Sequence, residues 1–228
     1  MLMDLHNHTI ESDGENTAEQ LITNAIANNI ACIGITDHFY TSKCSSVSSF
    51  MLEEYISGLC ELKEKYKDKI KVLCGVEICM IHTLCYLENL PYEKLNMLDF
   101  VLFEYVDKAG AVALPEISEY AGRLTCHKGL AHTNLMGIAE KYGLDNTIKM
   151  LKENNLFWEL NTSYEYFDLI MNNIDKHFIR YFLGQVNRNG ILLTAGSDTH
   201  NLVDFDIEKL KAANQLVNDY CKIQNPFA

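Results

Sequence analysis

Residues 1–8 read MLMDLHNH, residues 17–28 read TAEQLITNAIAN, and residues 31–38 read ACIGITDH. The first and third stretches are short apolar runs that close on histidine. The middle one sets Leu21, Ile22, Ala25 and Ile26 on one helical face. Strand, helix, strand in such close succession is the unit from which parallel sheets are built. The alternation continues to the end of the chain. Strands are expected at 70–78, 100–106, 129–131, 157–160 and 191–195. Helices are expected at 50–67, near 117–124, and at 147–154, 176–189 and 207–222. The strand runs are almost unbroken in their apolarity, as strands covered on both faces must be. An α/β fold follows, with its sheet either closed as a barrel or open and doubly wound. Periodicity alone leaves both possible.

Composition narrows the function. At 228 residues, 48% hydrophobic and 22% charged, the chain is expected to form one globular domain over residues 1–228. No apolar run approaches the roughly 20 residues that cross a bilayer. The start lacks a basic, then apolar, secretory pattern, so a cytoplasmic protein without a membrane partner is expected. A formal charge of −12 disfavours broad nucleic-acid binding. It leaves a phosphorylated small molecule open, because bound divalent ions supply local positive charge. The eight cysteines show no CxxC spacing and several fall inside apolar runs, so reduced thiols are expected.

The ionisable residues fall at the ends of strands. His6 and His8, two apart, project to one side of the first strand. Asp37 and His38 follow the second, Glu77 ends the third, and His132 follows the short strand 129–131. Asp198 and His200, again two apart, follow the last strand. In parallel α/β folds the C-terminal edge of the strands is where sites form. Imidazole with carboxylate suits zinc, manganese or iron. The donors outnumber the needs of one ion, so two or three divalent ions are expected. Asp37 is a candidate to orient a neighbouring imidazole. His127 and His177 lie in helix-like segments without partners and read as structural. No Gly-rich phosphate loop or G-x-S-x-G elbow is present.

The segments DLHNHTIESDG, ITDH, GVE, GLAHT and GSDTH resemble, in order and spacing, the motifs of the PHP (polymerase and histidinol phosphatase) superfamily. The resemblance runs from the first residues to about His200. It implies a distorted (β/α)7, TIM-like barrel with a trinuclear metal centre at its C-terminal face. Carried over by motif, it implies metal ligation by His6, His8, Asp13, His38, Glu77, His132, Asp198 and His200. Asp13 enters through Ser12-Asp13-Gly14, which taken alone reads as a turn. The stretch Trp158-Glu159-Leu160-Asn161-Thr162 resembles the family's sixth strand.

Two departures stand out. Members similar to histidinol phosphatase place a histidine at the end of the fourth strand, whereas residues 98–106 here read LDFVLFEYV. Glu104, a charge in a very apolar run, is one candidate for that ligand. His82, in Ile81-His82-Thr83-Leu84, is the other. Such phosphatases also carry an arginine soon after the sixth-strand Asn, where residues 163–168 read SYEYFD. Arg123, Arg180 and Lys128 remain as candidate phosphate-holding cations. The implied reaction is hydrolysis of a small phosphate monoester, histidinol phosphate above all, by a hydroxide bridging the metals. His6, His8, Glu77 and Asp198 would form the paired-metal core and His38, His132 and His200 would complete it, with Asp198 and His200 as the catalytic residues. Phosphodiester cleavage of nucleotides and a metal-binding regulatory role without turnover are the alternatives.

Overall fold

A computed structural model describes residues 1–174, 176–221 and 226–227. In chain order it contains β1 (Met3–Asp4), α1 (Ala18–Ala27), β2 (Cys32–Ile35), β3 (His38–Phe39), α2 (Leu52–Tyr66) and β4 (Lys71–Cys79). Next come α3 (Tyr92–Leu95), β5 (Phe100–Glu104), α4 (Ser118–Ala121), β6 (His127–Leu130), α5 (Leu135–Tyr142) and α6 (Leu144–Glu153). The chain ends with β7 (Leu156–Asn161), α7 (Glu165–Asn172), α8 (His177–Arg188), β8 (Leu193–Gly196) and α9 (Ile207–Tyr220).

The neighbouring strands pair in parallel, in the order β1-β2-β4-β5-β6-β7-β8, with β3 also on β4. Cys32 faces Lys71 and His38 faces Glu77 at one constant offset, so β2 and β3 form a single stave interrupted at Thr36 and Asp37. The sheet then closes. Leu5 N–H donates to Ala195 O, Asp198 N–H to His6 O and His8 N–H to Thr199 O, each at 2.9 Å. The result is a seven-stave barrel among the described residues, which resolves the choice between closed and open sheets in favour of the barrel.

Local chemistry explains the elements. Helix α1 starts at Thr17 with a reciprocal capping box: Gln20 N–H donates to Thr17 Oγ1, and Thr17 N–H donates to Gln20 Oε1. Its buried face, Leu21, Ile22 and Ala25, is the face its periodicity marked. At the N-terminal end of the barrel, Phe100, Phe157 and Phe227 pack ring against ring with centroids 5.5–6.2 Å apart. Gly34 and Gly75 leave room for Phe100, since a Cβ at either would lie under 3 Å from its ring. No disulfide forms among the cysteines, which are free. Among the described residues no helix is long and apolar enough to cross a membrane.

Several boundaries differ from the expectation. The strand expected over 1–8 pairs regularly only at Met3–Asp4, because beyond it the backbone turns its hydrogen bonds to residues 195–199. His127 does not sit in a helix: it opens β6, opposite Phe100. The helix expected near 117–124 reduces to α4 behind a single 3-10 turn at Leu114–Glu116. Helices α5 and α7 were not read from the sequence. Gly137 weakens the helical pattern of the first, although Asn134 caps it by accepting from Gly137 N–H. The second opens on aromatic and acidic residues that resemble a loop. Residue 222 of the final expected helix lies outside the described residues.

Candidate metal centre

Every connection from a strand's C-terminal end into the following helix opens on one rim. His6 and His8 stand just past β1, Asp13 in the loop behind them, His38 on β3, Glu77 within β4, and Glu104 at the end of β5. His132 follows β6, and Asp198 and His200 follow β8. These side chains meet. His6 Nε2 and His8 Nε2 are 3.0 Å apart. Glu77 lies at the middle, with Oε1 3.0 Å from His132 Nε2 and 3.4 Å from His6 Nε2, and Oε2 2.9 Å from His38 Nδ1 and 3.6 Å from His8 Nε2. Asp198 Oδ1 is 3.1 Å from His8 Nε2. On the outer side Asp13 contacts His38 Nε2 at 3.5 Å and His200 Nε2 at 3.3 Å.

Three groups of donor atoms are each compact enough to hold one ion: His8–Asp13–His38–His200, His6–His8–Glu77, and His38–Glu77–Glu104. The donor chemistry fits divalent cations. Glu77 is 1% exposed, yet neither of its oxygens accepts a hydrogen bond, and Nδ1 of His8, His38 and His132 also finds none. Buried polar atoms rarely go unpaired, so a bare buried carboxylate among these imidazoles suits ions placed between them.

Electrostatics point the same way. Burial opposes protonation of His6, but the carboxylates of Glu159, Asp198 and Glu77 outweigh it and hold its pKa well above the ordinary value. Against the same cost of burial, Asp13 and Glu77 lift His38 to about 9, and Glu104 and Glu77 lift His132 to about 10. Burial would raise Glu77, yet the imidazoles of His6, His132 and His38 keep it far below the usual carboxylate range. Without ions the cluster demands positive charge from protons. Divalent ions would replace them.

A second layer fixes the donors. Glu159 on β7 accepts from His6 Nδ1 at 2.9 Å, from His132 N–H at 2.8 Å and from Asn161 Nδ2 at 3.2 Å. Gly196 is required beside it, because a Cβ there would overlap Glu159 Oε1 and lie 2.6 Å from His6 Cβ. Asp4 anchors the last loop, accepting from Ser197 N–H at 2.8 Å and Ser197 Oγ at 2.7 Å. The backbone itself is bent at this rim: Tyr40, Tyr105, His132 and Asp198 all hold positive φ.

The PHP domain model matches residues 4–223 of the chain.

The chain belongs to the PHP-domain family.

Among solved structures, this PHP domain resembles the histidinol phosphate phosphatase of Lactococcus lactis subsp. lactis Il1403, a structure complexed with zinc, L-histidinol and phosphate. Identity is 19%, the TM-score 0.66, and the match covers 96% of this chain and 93% of that one. A Listeria monocytogenes protein named for the same phosphatase matches at 13% identity with a TM-score of 0.57, over 89% of this chain and 97% of that one. At these identities the likeness concerns the fold. No match is found among curated protein sequences.

Of the residues singled out from sequence, this PHP domain brings together His6, His8, Asp13, His38, Glu77, Glu104, His132, Asp198 and His200. His82 is not among them. The chain turns away after β4, and His82 lies exposed in the turn at 82–84, its ring 6.4 Å from that of Tyr120. The three cations expected to hold phosphate are also elsewhere. Arg123 precedes β6, at the opposite end of the strands, stacked 3.8 Å from the ring centroid of Tyr92. Lys128 Nζ donates to Leu124 O at 3.0 Å, also near the start of β6. Arg180 sits on α8 and donates through Nε to Ile174 O at 3.2 Å. Asp37 braces no imidazole; it accepts from Thr9 N–H, Thr9 Oγ1, Ser12 Oγ and Tyr55 Oη, and so shapes the loop that carries Asp13.

Sequence reading missed the cation that is present. Lys43, in the loop after β3, reaches Glu104 with Nζ 2.9 Å from Oε2. It also missed the tyrosines: Tyr164 stacks on His132 with centroids 4.2 Å apart and planes 9° apart, and Tyr105 lies 5.4 Å from the same ring. Beside Asp198 and His200 opens a cavity of about 220 Å³, lined also by Thr162, Asn201, Asp204 and Asp206.

Proposed function

We propose that this PHP domain is a metal-dependent phosphoesterase that hydrolyses a small phosphate monoester, with histidinol phosphate as the leading substrate. The observation that carries the reading is Glu77: a buried carboxylate, bare of hydrogen bonds, among four imidazoles at the strand ends. Divalent ions bound there, zinc, manganese or iron, would supply Lewis acidity, neutralise phosphoryl charge and make water acidic enough to attack at neutral pH.

The chain's own residues would do the rest. His6, His8, Glu77 and Asp198 would hold one ion, and Asp13, His38 and His200 a second. Glu159 would keep His6 in the tautomer that presents Nε2 to the centre. His200, whose side chain is 40% exposed, stands where the donors meet the open cavity, so an ion held there would neutralise a leaving alkoxide. The cavity's wall favours a particular leaving group. Asp204 and Asp206 line it, so an amino alcohol that carries an ammonium suits it better than a second phosphate. Tyr105 and Tyr164 add flat ring faces beside His132, which suit an aromatic or imidazole ring.

The test is a substrate panel with manganese- or zinc-loaded protein: L-histidinol phosphate, other phosphomonoesters, bis-p-nitrophenyl phosphate and short DNA oligomers. Turnover of monoesters, fastest with an amine-bearing alcohol, is expected. Faster cleavage of the diester or the DNA, or no turnover with metals fully loaded, would overturn the reading.

A further inference from the structure

The third donor group, His38–Glu77–Glu104, differs from the other two in one respect: a protein cation already touches it. Glu104 is fully buried, and a buried carboxylate needs a compensating charge. Lys43 supplies it. Its Nζ lies 3.2 Å from Oε1 and 2.9 Å from Oε2, spanning the carboxylate, and 3.1 Å from Tyr105 Oη. It also stands 4.8 Å from the centroid of the Tyr105 ring, a favourable place for a cation.

This placement is built into the loop. Thr41 Oγ1 donates to Leu84 O at 2.8 Å, Lys43 N–H donates to Thr41 Oγ1 at 3.1 Å, and Ser46 Oγ donates to Thr41 O at 2.9 Å. The lysine stem is therefore fixed over Glu104, and its side chain is only 23% exposed. An ion coordinated by Glu104 would sit at about 2 Å from one of the same oxygens. It would then face an ammonium a few ångströms away, in a site with little water to screen the repulsion.

We propose that Lys43 serves as the third cation of the centre. On the reading of the rim as a metal centre, on which this rests, the chain binds two divalent ions, one in the His6–His8–Glu77 group and one on Asp13, His38 and His200. The Glu104 position belongs to the ammonium. The centre is then binuclear rather than trinuclear, and Lys43 and a third ion exclude each other.

The experiment is metal counting by mass spectrometry on protein loaded with manganese or zinc and desalted. Two ions per chain are expected for the native protein and for Lys43→Arg. Three are expected for the neutral variants Lys43→Met and Lys43→Gln, falling back to two when Glu104→Gln is added to either. Three ions in the native protein would overturn the proposal without recourse to any variant. So would two ions in the neutral variants with Glu104 intact. No bound metal in any of the proteins would instead remove the metal centre itself, a separate failure.

Discussion

His6 Nδ1 lies 2.9 Å from Glu159 Oε1 beneath the rim, while His6 Nε2 faces His8 Nε2 across 3.0 Å. One imidazole thus joins two layers. The carboxylate below accepts a hydrogen bond from Nδ1–H, which leaves Nε2 as a lone-pair donor toward the centre. The same carboxylate receives His132 N–H, so it sets the positions of two rim histidines from different strands at once.

Glu159→Gln keeps the shape but removes the charge, and should weaken metal affinity roughly 10- to 100-fold, the range for residues that orient ligands. Competition against a chromophoric chelator measures this. Unchanged affinity would mean that Glu159 is a structural residue only.

Asp198 should matter more. Asp198→Asn is the suitable substitution, because φ is 56° there and asparagine tolerates that backbone. Its kcat should fall by more than about 100-fold, beyond what an orienting residue costs. The far-ultraviolet circular dichroism spectrum should stay unchanged. A variant that keeps native kcat would remove Asp198 from the site.

What could be read from the sequence was the part carried by strand periodicity. His6 with His8, and Asp198 with His200, announced a shared direction by spacing of two. Glu104 announced itself as a charge in an apolar run. Residues whose position depends on tertiary closure gave no such signal. Lys43 sits in a polar loop, SKCSSVS at 42–48, with no pattern to place it over β5. Glu159 looked like one more strand residue, and its role exists only because barrel closure sets β7 and the β1 segment on either side of β8. The mistaken candidates share a cause as well. Arg123 and Lys128 come just before or at the start of a strand rather than after its end, and His82 falls in the turn at 82–84, where it is exposed and away from the donors.

Proton uptake gives a pH test. In the metal-free protein His38, lifted to about 9, holds a proton at pH 8. Metal coordination needs the neutral imidazole, so loading at pH 8 must release at least about one proton per chain. Raising the pH toward 10 removes that proton beforehand, so apparent affinity should climb and proton release should shrink. Calorimetry in buffers of different ionisation enthalpy reads both. Loading without proton release at pH 8 would contradict this electrostatic picture.

Substrate preference gives another. Asp204, on the cavity beside His200, is an exposed charge. Asp204→Asn should raise KM for an amine-bearing phosphomonoester roughly two- to fivefold, the scale of an exposed ion pair worth up to about 1 kcal/mol. A phosphomonoester of similar size without the amine should be unaffected. Equal effects on both substrates would detach the cavity from the ammonium.

The most direct measurement is an anomalous-difference map, collected at the absorption edge of the loaded metal, from crystals of the holoprotein. The expected result is strong peaks at about 2.0–2.3 Å from donor atoms of Glu77, His6, His8, Asp13, His38 and His200. A map without peaks at this rim, from protein whose solution had been saturated with zinc or manganese, would contradict the account.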